Sequence, residues 1–316
     1  MSVDYRILYR RRLDLCQLRE VSKRWSLFLS AFNTSERVLA VHDAVTAPSK
    51  HWLVHAEYGF DATALPSADS YLPKTLNEAE FWQAYELDAE PDLSGVVCVD
   101  VTGFMRPHLA FLVAWLFERG VQRFVALYTD PQSYEKQEDT EFTKGPVVEV
   151  RQIAGFEGVH STDSSNDLLV IGAGYDDELI RRVAEHKTHA RKLQMFGLPS
   201  LEADMYQQSV VRAARAAEAV GPAADRDVLF APANDPFVTA HTLQERIRAE
   251  NGRSPITNLY LASVGTKPQM LGFALFYLTE MRGTATSMLF PFAERYSQET
   301  SKGIARIWMY EVEALK

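Results

Sequence analysis

The chain reads as an α/β protein of the Rossmann-like kind, with a mainly parallel sheet and helices on both faces. Three observations lead to this class. Strand-length apolar runs alternate with helix-length segments along most of the 316 residues, the clearest run is β-branched and continuous, and glycine or capping residues stand at the strand-to-helix junctions. No fixed-period repeat and no low-complexity run interrupts the alternation.

Leu27–Phe32 is the first buried strand. Asn33-Thr34-Ser35-Glu36 follows as a helix start whose side-chain oxygens can cap amides, and the helix runs from Arg37 to about Val45. A short strand is expected over His51–Glu57, and a helix opened by Asn77 reaches Tyr85. Gly95–Val101 ends in Thr102-Gly103; Pro107 suits a first helical turn, His108–Arg119 is an apolar helix stopped by Gly120, and Arg123–Tyr128 returns to strand. The acidic stretch from Asp130 to Lys144, with Glu135, Glu138, Asp139 and Glu141, reads as a solvated connection with the composition of a lid.

The same pattern resumes with strand Asp167–Ile171, the turn Gly172-Ala173-Gly174-Tyr175-Asp176-Asp177 and helix Glu178–His186. Strand Lys192–Phe196, helix Met205–Val220 and strand Asp227–Ala231 come next, and Asn234-Asp235-Pro236 opens a helix to about Glu250. Strand Ile256–Ser263, the turn at Gly265 and the apolar helix Pro268–Met281 complete the last unit, and Thr286–Pro291 and Ala305–Val312 close the sheet. Residues 1–23 read as an N-terminal extension and 24–316 as one Rossmann-like domain, divisible into halves of about 24–150 and 151–316.

Composition narrows the function classes. The apolar and charged shares, 47% and 24%, are those of a globular protein able to bury its own core. A net charge of -9 argues against an extended duplex nucleic acid as partner. No apolar stretch is long enough for a bilayer, and Arg10-Arg11-Arg12 is not followed by the apolar core of a secretory signal, so a cytoplasmic location is expected. Cys16 and Cys98 have no close cysteine or histidine partners, and the eight histidines are scattered; His51 and His55 lie four apart in a strand, so neither a metal nor a cofactor is expected.

In a parallel sheet, ligands bind outside the carboxyl ends of the strands, near a reversal of strand order. Among the turns at that edge, Gly265-Thr266-Lys267 combines a helix start, a hydroxyl and a cation, with Gln269 in reach of a base or ribose. It reads either as an anion site or as a glycine turn with a threonine cap and a solvated lysine. Thr102, Gly103 and Arg106 offer a hydroxyl, amides and a guanidinium at the same edge; Arg106 is a second clamp for a phosphorylated ligand or an ordinary surface arginine. No P-loop and no Gly-x-Gly-x-x-Gly is present, and Gly172-Ala173-Gly174, followed by two aspartates, reads as a tight turn with aspartate caps.

The run Gly265-Thr266-Lys267-Pro268-Gln269-Met270-Leu271-Gly272, after an apolar strand and before an apolar helix, resembles the Gly-Gly-Thr-Lys helix start of CRISPR-associated Rossmann-fold domains, although Val264 stands at the first glycine. Those domains bind cyclic oligoadenylates. The resemblance implies ligand contacts from Thr266 and Lys267, a second contacting turn at Ser30–Ser35 with Asn33 and Ser35 among its residues, a homodimer with the ligand across its axis and a role in prokaryotic antiviral defence; because one fold uses the whole length, any effector is expected to be a separate protein. The expected function is thus a sensor of a cyclic or other phosphorylated nucleotide. The alternative is an enzyme, a phosphodiesterase or other hydrolase, using Lys267, Arg106 and Asp100 or Asp235 on such a ligand; no catalytic residue is assigned.

Overall fold

The computed structural model describes residues 3–66, 69–134, 143–202, 205–221, 227–297 and 301–315. Most of the acidic stretch expected after Asp130 therefore lies outside the described residues. The chain forms two compact units, Ile7–Thr140 with Arg295–Leu315, here the first unit, and Met1–Arg6 with Glu141–Glu294 and Lys316, the second.

The first unit opens with β1 (Arg10–Leu13) and α1 (Leu15–Ser22), followed by β2 (Leu27–Ala31), α2 (Glu36–Ala44), β3 (Ser49–Leu53), β4 (Ser70–Tyr71), α3 (Glu78–Ala89), β5 (Val97–Asp100), α4 (Arg106–Glu118), β6 (Arg123–Asp130) and β7 (Ser133–Tyr134). The second unit contains β8 (Thr143–Gln152), β9 (Leu168–Gly172), α5 (Asp177–His186), β10 (Arg191–Gly197), α6 (Met205–Arg215), α7 (Ala217–Val220), β11 (Val228–Ala231), α8 (Pro236–Arg253), β12 (Leu259–Ser263), α9 (Lys267–Phe276) and β13 (Thr286–Tyr296). The chain then returns to the first unit with β14 (Ser301–Lys302) and β15 (Arg306–Glu313).

The fold is Rossmann-like α/β, with two mostly parallel sheets flanked by helices where one sheet was expected. In the first unit the order is β1-β15-β6-β5-β2-β3-β4, and β2, β3, β4, β5 and β6 are mutually parallel while β15 runs antiparallel to both β6 and β1. In the second unit the order is β11-β10-β9-β12-β13-β8, with parallel pairing from β11 through β13. Strands β2, β5, β9 and β12 are buried along their whole length, which is why their sequences are continuous apolar runs rather than alternating ones.

Residues 10–22, expected to extend from the fold, supply its edge strand and a helix. Asp14 caps α1 through a reciprocal capping box with Gln17. Three arginines in succession suit an outer strand, where charge discourages pairing with another chain. Helix α9 is buried from Pro268 to Phe276, as a helix that is apolar all round must be.

Candidate functional site

Both sheets reverse their strand order once. In the first unit the chain builds outward from β2 through β3 to β4 and then crosses to β5, so the reversal lies between β2 and β5. In the second it builds outward from β9 through β10 to β11 and then crosses to β12. The nine residues expected to contact a ligand divide between these two places. Asn33, Ser35, Thr102, Gly103 and Arg106 flank the first reversal, and Gly265, Thr266, Lys267 and Gln269 follow β12 at the second. The expectation of one shared sheet edge gives way to two edges, because the run of strand-helix units carries no composition break where the units divide.

At the second reversal Thr266 and Gln269 cap each other, although the buried Gln269 Nε2 and Ser263 Oγ have no hydrogen-bond partner among the described residues. Thr266 is the N-cap of α9, its Oγ1 accepts from the Gln269 amide at 3.3 Å, and the Gln269 Oε1 accepts from the Thr266 amide at 3.2 Å. The Thr266 hydroxyl also donates to the Ala233 carbonyl oxygen. Pro268, the second helical residue rather than the first, has no amide to offer. Gln269 is 1% exposed and caps the helix instead of reaching a base. Gly174 packs against the Val264 carbonyl, so the two turns touch backbone to backbone, and Lys267 stays half-buried beside them. The arrangement has the chemistry of a well-capped helix start. Thr266→Ala is therefore expected to cost the second unit about 1 kcal/mol, the worth of an N-cap. Urea denaturation checks this, and an unchanged midpoint would remove the cap from the account.

The first reversal is built differently. Helices α1, α3, α5, α8 and α9 have their first-turn amides capped by Asp14, Asn77, Asp176, Asp235 and Thr266. Helices α2 and α4, which follow the two strands at the reversal, have no side-chain cap bond. For α4 the cap position is Met105, which has no oxygen to give. For α2 it is Ser35, a good cap residue that is 3% exposed and whose Oγ has no hydrogen-bond partner among the described residues. Two residues on, Arg37 reaches across the sheet edge and donates from Nη1 to the Thr129 carbonyl near the end of β6 at 2.7 Å, leaving its buried Nε without a partner. The Thr129 hydroxyl, also buried, has none either.

Around these orphaned atoms the site is cross-linked by hydrogen bonds and close packing. Asn33 Oδ1 accepts from the Ser35 amide at 3.0 Å. Thr102 donates its hydroxyl to Asp100 Oδ1 at 2.6 Å and accepts from the Thr129 amide at 3.0 Å, so its hydroxyl joins β5 to β6. Gly103 packs against the Ala31 carbonyl at the end of β2, and its own carbonyl accepts from Tyr58 at 2.8 Å. Arg106, half-buried in the first turn of α4, lowers the Tyr58 pKa by its charge, although burial dominates and pushes that phenol up to about 12. Burial likewise lifts Asp100 from the ordinary 3.8 to about 6, opposed by the bonds from Thr102 and Ser30 and by the charge of Arg37.

No protein-family model matches the chain, and no curated protein does. A search of solved structures returns a CobK precorrin-6A reductase, 15% identical, covering 83% of this chain and 87% of that one with a TM-score of 0.24.

Beside the first reversal, the loop after β3 carries His55 and Glu57, and the first turns of α4 carry His108. These three side chains are buried, and one ligand atom from each lies within 4.8 Å of the others. Neither this cluster nor Arg37 was singled out from sequence. The signals were His-x-Glu directly after a strand and Ser-x-Arg opening a helix, each too short to stand apart from chance. The fold brings His108 to His55 across 53 residues of chain.

Among the described residues, no helix is long and apolar enough to cross a membrane.

Proposed function

We propose that the protein binds a small phosphorylated ligand at the carboxyl edge of the first unit, over the reversal between β2 and β5. The observation that carries this is the set of buried polar atoms without partners there, Ser35 Oγ, Arg37 Nε and Thr129 Oγ1, beside an α2 start that its own cap residue leaves uncapped. Leaving such atoms unmet costs about 1–3 kcal/mol each, and an anion accepting from Ser35, Arg37 and the α2 amides relieves that cost. Arg106 supplies a second cation at the start of α4. The nucleotide class of the ligand, a cyclic oligonucleotide within that class, a homodimer and a role in antiviral defence rest only on the resemblance of residues 265–272, which lie at the second reversal rather than at this site.

Thermal-shift measurements with mononucleotides, dinucleotides and cyclic oligoadenylates test the reading, since a ligand specific to the native state raises the midpoint. Ser35→Ala and Arg37→Ala are each expected to weaken binding by about tenfold to a hundredfold, the worth of a charge-assisted hydrogen bond. Binding lost in Lys267→Ala but kept in both of these variants would move the ligand to the second unit and sink the proposal. The alternative, an enzyme acting on the same class of ligand, has in its favour the His55, Glu57 and His108 cluster beside the reversal. Product formed from the bound nucleotide would decide for it.

A further inference from the structure

We propose that His55, Glu57 and His108 form a binding site for a divalent transition-metal ion of the zinc class.

The donor set comes first. Two imidazoles and one carboxylate are nitrogen and oxygen ligands that suit zinc or a neighbouring first-row ion, whereas calcium and magnesium take oxygen alone. His55 is 0% exposed, Glu57 7% and His108 1%, so this is a buried constellation rather than a chance meeting of surface groups. Each ligand sits where the fold holds it. His55 follows the end of β3, Glu57 belongs to the helical turn Ala56–Tyr58 and His108 to the first turns of α4. Tyr58, next to Glu57, pins that turn to the loop after β5 through its bond to the Gly103 carbonyl.

Geometry and electrostatics agree with the donor set. His108 Nε2 lies 3.1 Å from Glu57 Oε1. That is close to the separation of about 3.3 Å that two ligands have around a tetrahedral ion with bonds near 2.0–2.1 Å. The three ligand atoms fall within 4.8 Å of one another, so closing the set on an ion requires side-chain adjustment. The surroundings are aromatic. His55 and His108 face each other at a ring-centroid distance of 4.5 Å, and Phe81 lies 5.0 Å from His55 and 4.7 Å from His108, with Phe104 5.4 Å from His55. In such an enclosure a carboxyl group needs its oxygens met, yet Glu57 Oε2 and His108 Nδ1 have no hydrogen-bond partner among the described residues. A simple histidine-glutamate hydrogen bond satisfies one atom of each and leaves the others; a divalent ion meets the carboxylate charge directly.

A pocket lies next to the His55 residue, whose side chain is itself buried. His55 lines a pocket of about 300 Å³ together with Gly59, Phe60, Leu72, Lys74 and Thr75. A structural zinc site has four protein ligands, so three protein ligands leave one position that a water molecule would complete.

The test uses the full chain without a histidine tag, stripped with a chelator and dialysed. Cobalt(II) is titrated while its visible absorption is followed, and zinc(II) is measured by competition with a chromophoric chelator. The expected result is one equivalent per chain, a visible cobalt spectrum and a raised melting midpoint with zinc(II). Glu57→Gln, which keeps the shape, and His108→Ala are each expected to lose at least tenfold in affinity, with far-ultraviolet circular dichroism showing that the metal-free variants remain folded. His189→Ala, at an exposed position, is expected to bind like the parent. The proposal is overturned if the parent chain takes up neither ion at micromolar concentration, or if Glu57→Gln and His108→Ala bind as the parent does.

Discussion

Gly103→Ala is expected to destabilise the first unit by about 3 kcal/mol, at the upper end of what overpacking costs. Gly103 has no unusual backbone angle; its constraint is space. A Cβ there would overlap the Ala31 carbonyl oxygen, with the Asn33 side-chain amide 3.4 Å away. Neither obstacle is the free end of a flexible side chain. Ala31 is the last residue of β2, paired in a buried sheet, and Asn33 is held by the Ser35 amide. Relief therefore requires β5 and its loop to move away from β2 at the very place where the strand order reverses. The Tyr58 bond to the Gly103 carbonyl would stretch with it, and ligand binding should fall together with stability. Gly252→Ala serves as the comparison, because nothing lies within 4 Å of the added atom near the end of α8, and there alanine should stabilise slightly. Urea unfolding of both variants checks this. Equal midpoints would mean that the close approach of the β2 and β5 loops is absent in solution.

Asp100→Asn is expected to raise stability at neutral pH relative to the parent by about 2–3 kcal/mol, and to leave it nearly unchanged at pH 4. The carboxyl is fully buried and titrates at about 6, against 3.8 when exposed. Between those two values the folded chain keeps a proton that the unfolded chain has released. The stabilising contribution of that proton is whole below the unfolded value and is lost as pH rises through the folded one, so the parent weakens across pH 4 to 6 from this group. Asparagine has no such window. It keeps an oxygen to accept from the Thr102 amide and hydroxyl, and its amide can donate to Ser30, where Asp100 now accepts at 3.4 Å. The measurement is the difference between the two unfolding free energies at several pH values. A difference that stays flat from pH 4 to 7 would contradict the buried, raised carboxyl.

The legible parts of the sequence were those where one physical demand dominates a local stretch. Strands buried on both faces are apolar up to their carboxyl ends, and Val97–Asp100, Leu168–Gly172 and Leu259–Ser263 fall within a residue or a few of the runs read from composition. Helix starts need caps, and Asn77 and Asp235 answer that need directly, while at Thr266 the cap is one of the two readings the sequence leaves open. Edge strands were the opposite case. Arg10–Leu13 and Thr143–Gln152 carry charge and polar residues because an edge tolerates them, and so they lacked a strand signature.

For the site, the sequence alone determined which residues stand at strand ends, since the chain must turn there and only certain residues allow it. The tertiary structure decided which of those ends share a sheet and which side chains remain unspent. Thr266 and Gln269 look as available in one dimension as Ser35 and Arg37, yet the first pair cap each other three residues apart, whereas the Ser35 hydroxyl stays unmet and Arg37 reaches Thr129, 92 residues on. His55, Glu57 and His108 make the same point more strongly. Their proximity depends on a crossover that carries the chain from β3 through α3 and β5 to α4, and no local spacing records where such a crossover returns. Caps and buried strands are local consequences of backbone hydrogen bonding and burial, whereas a shared site is a long-range consequence of strand order.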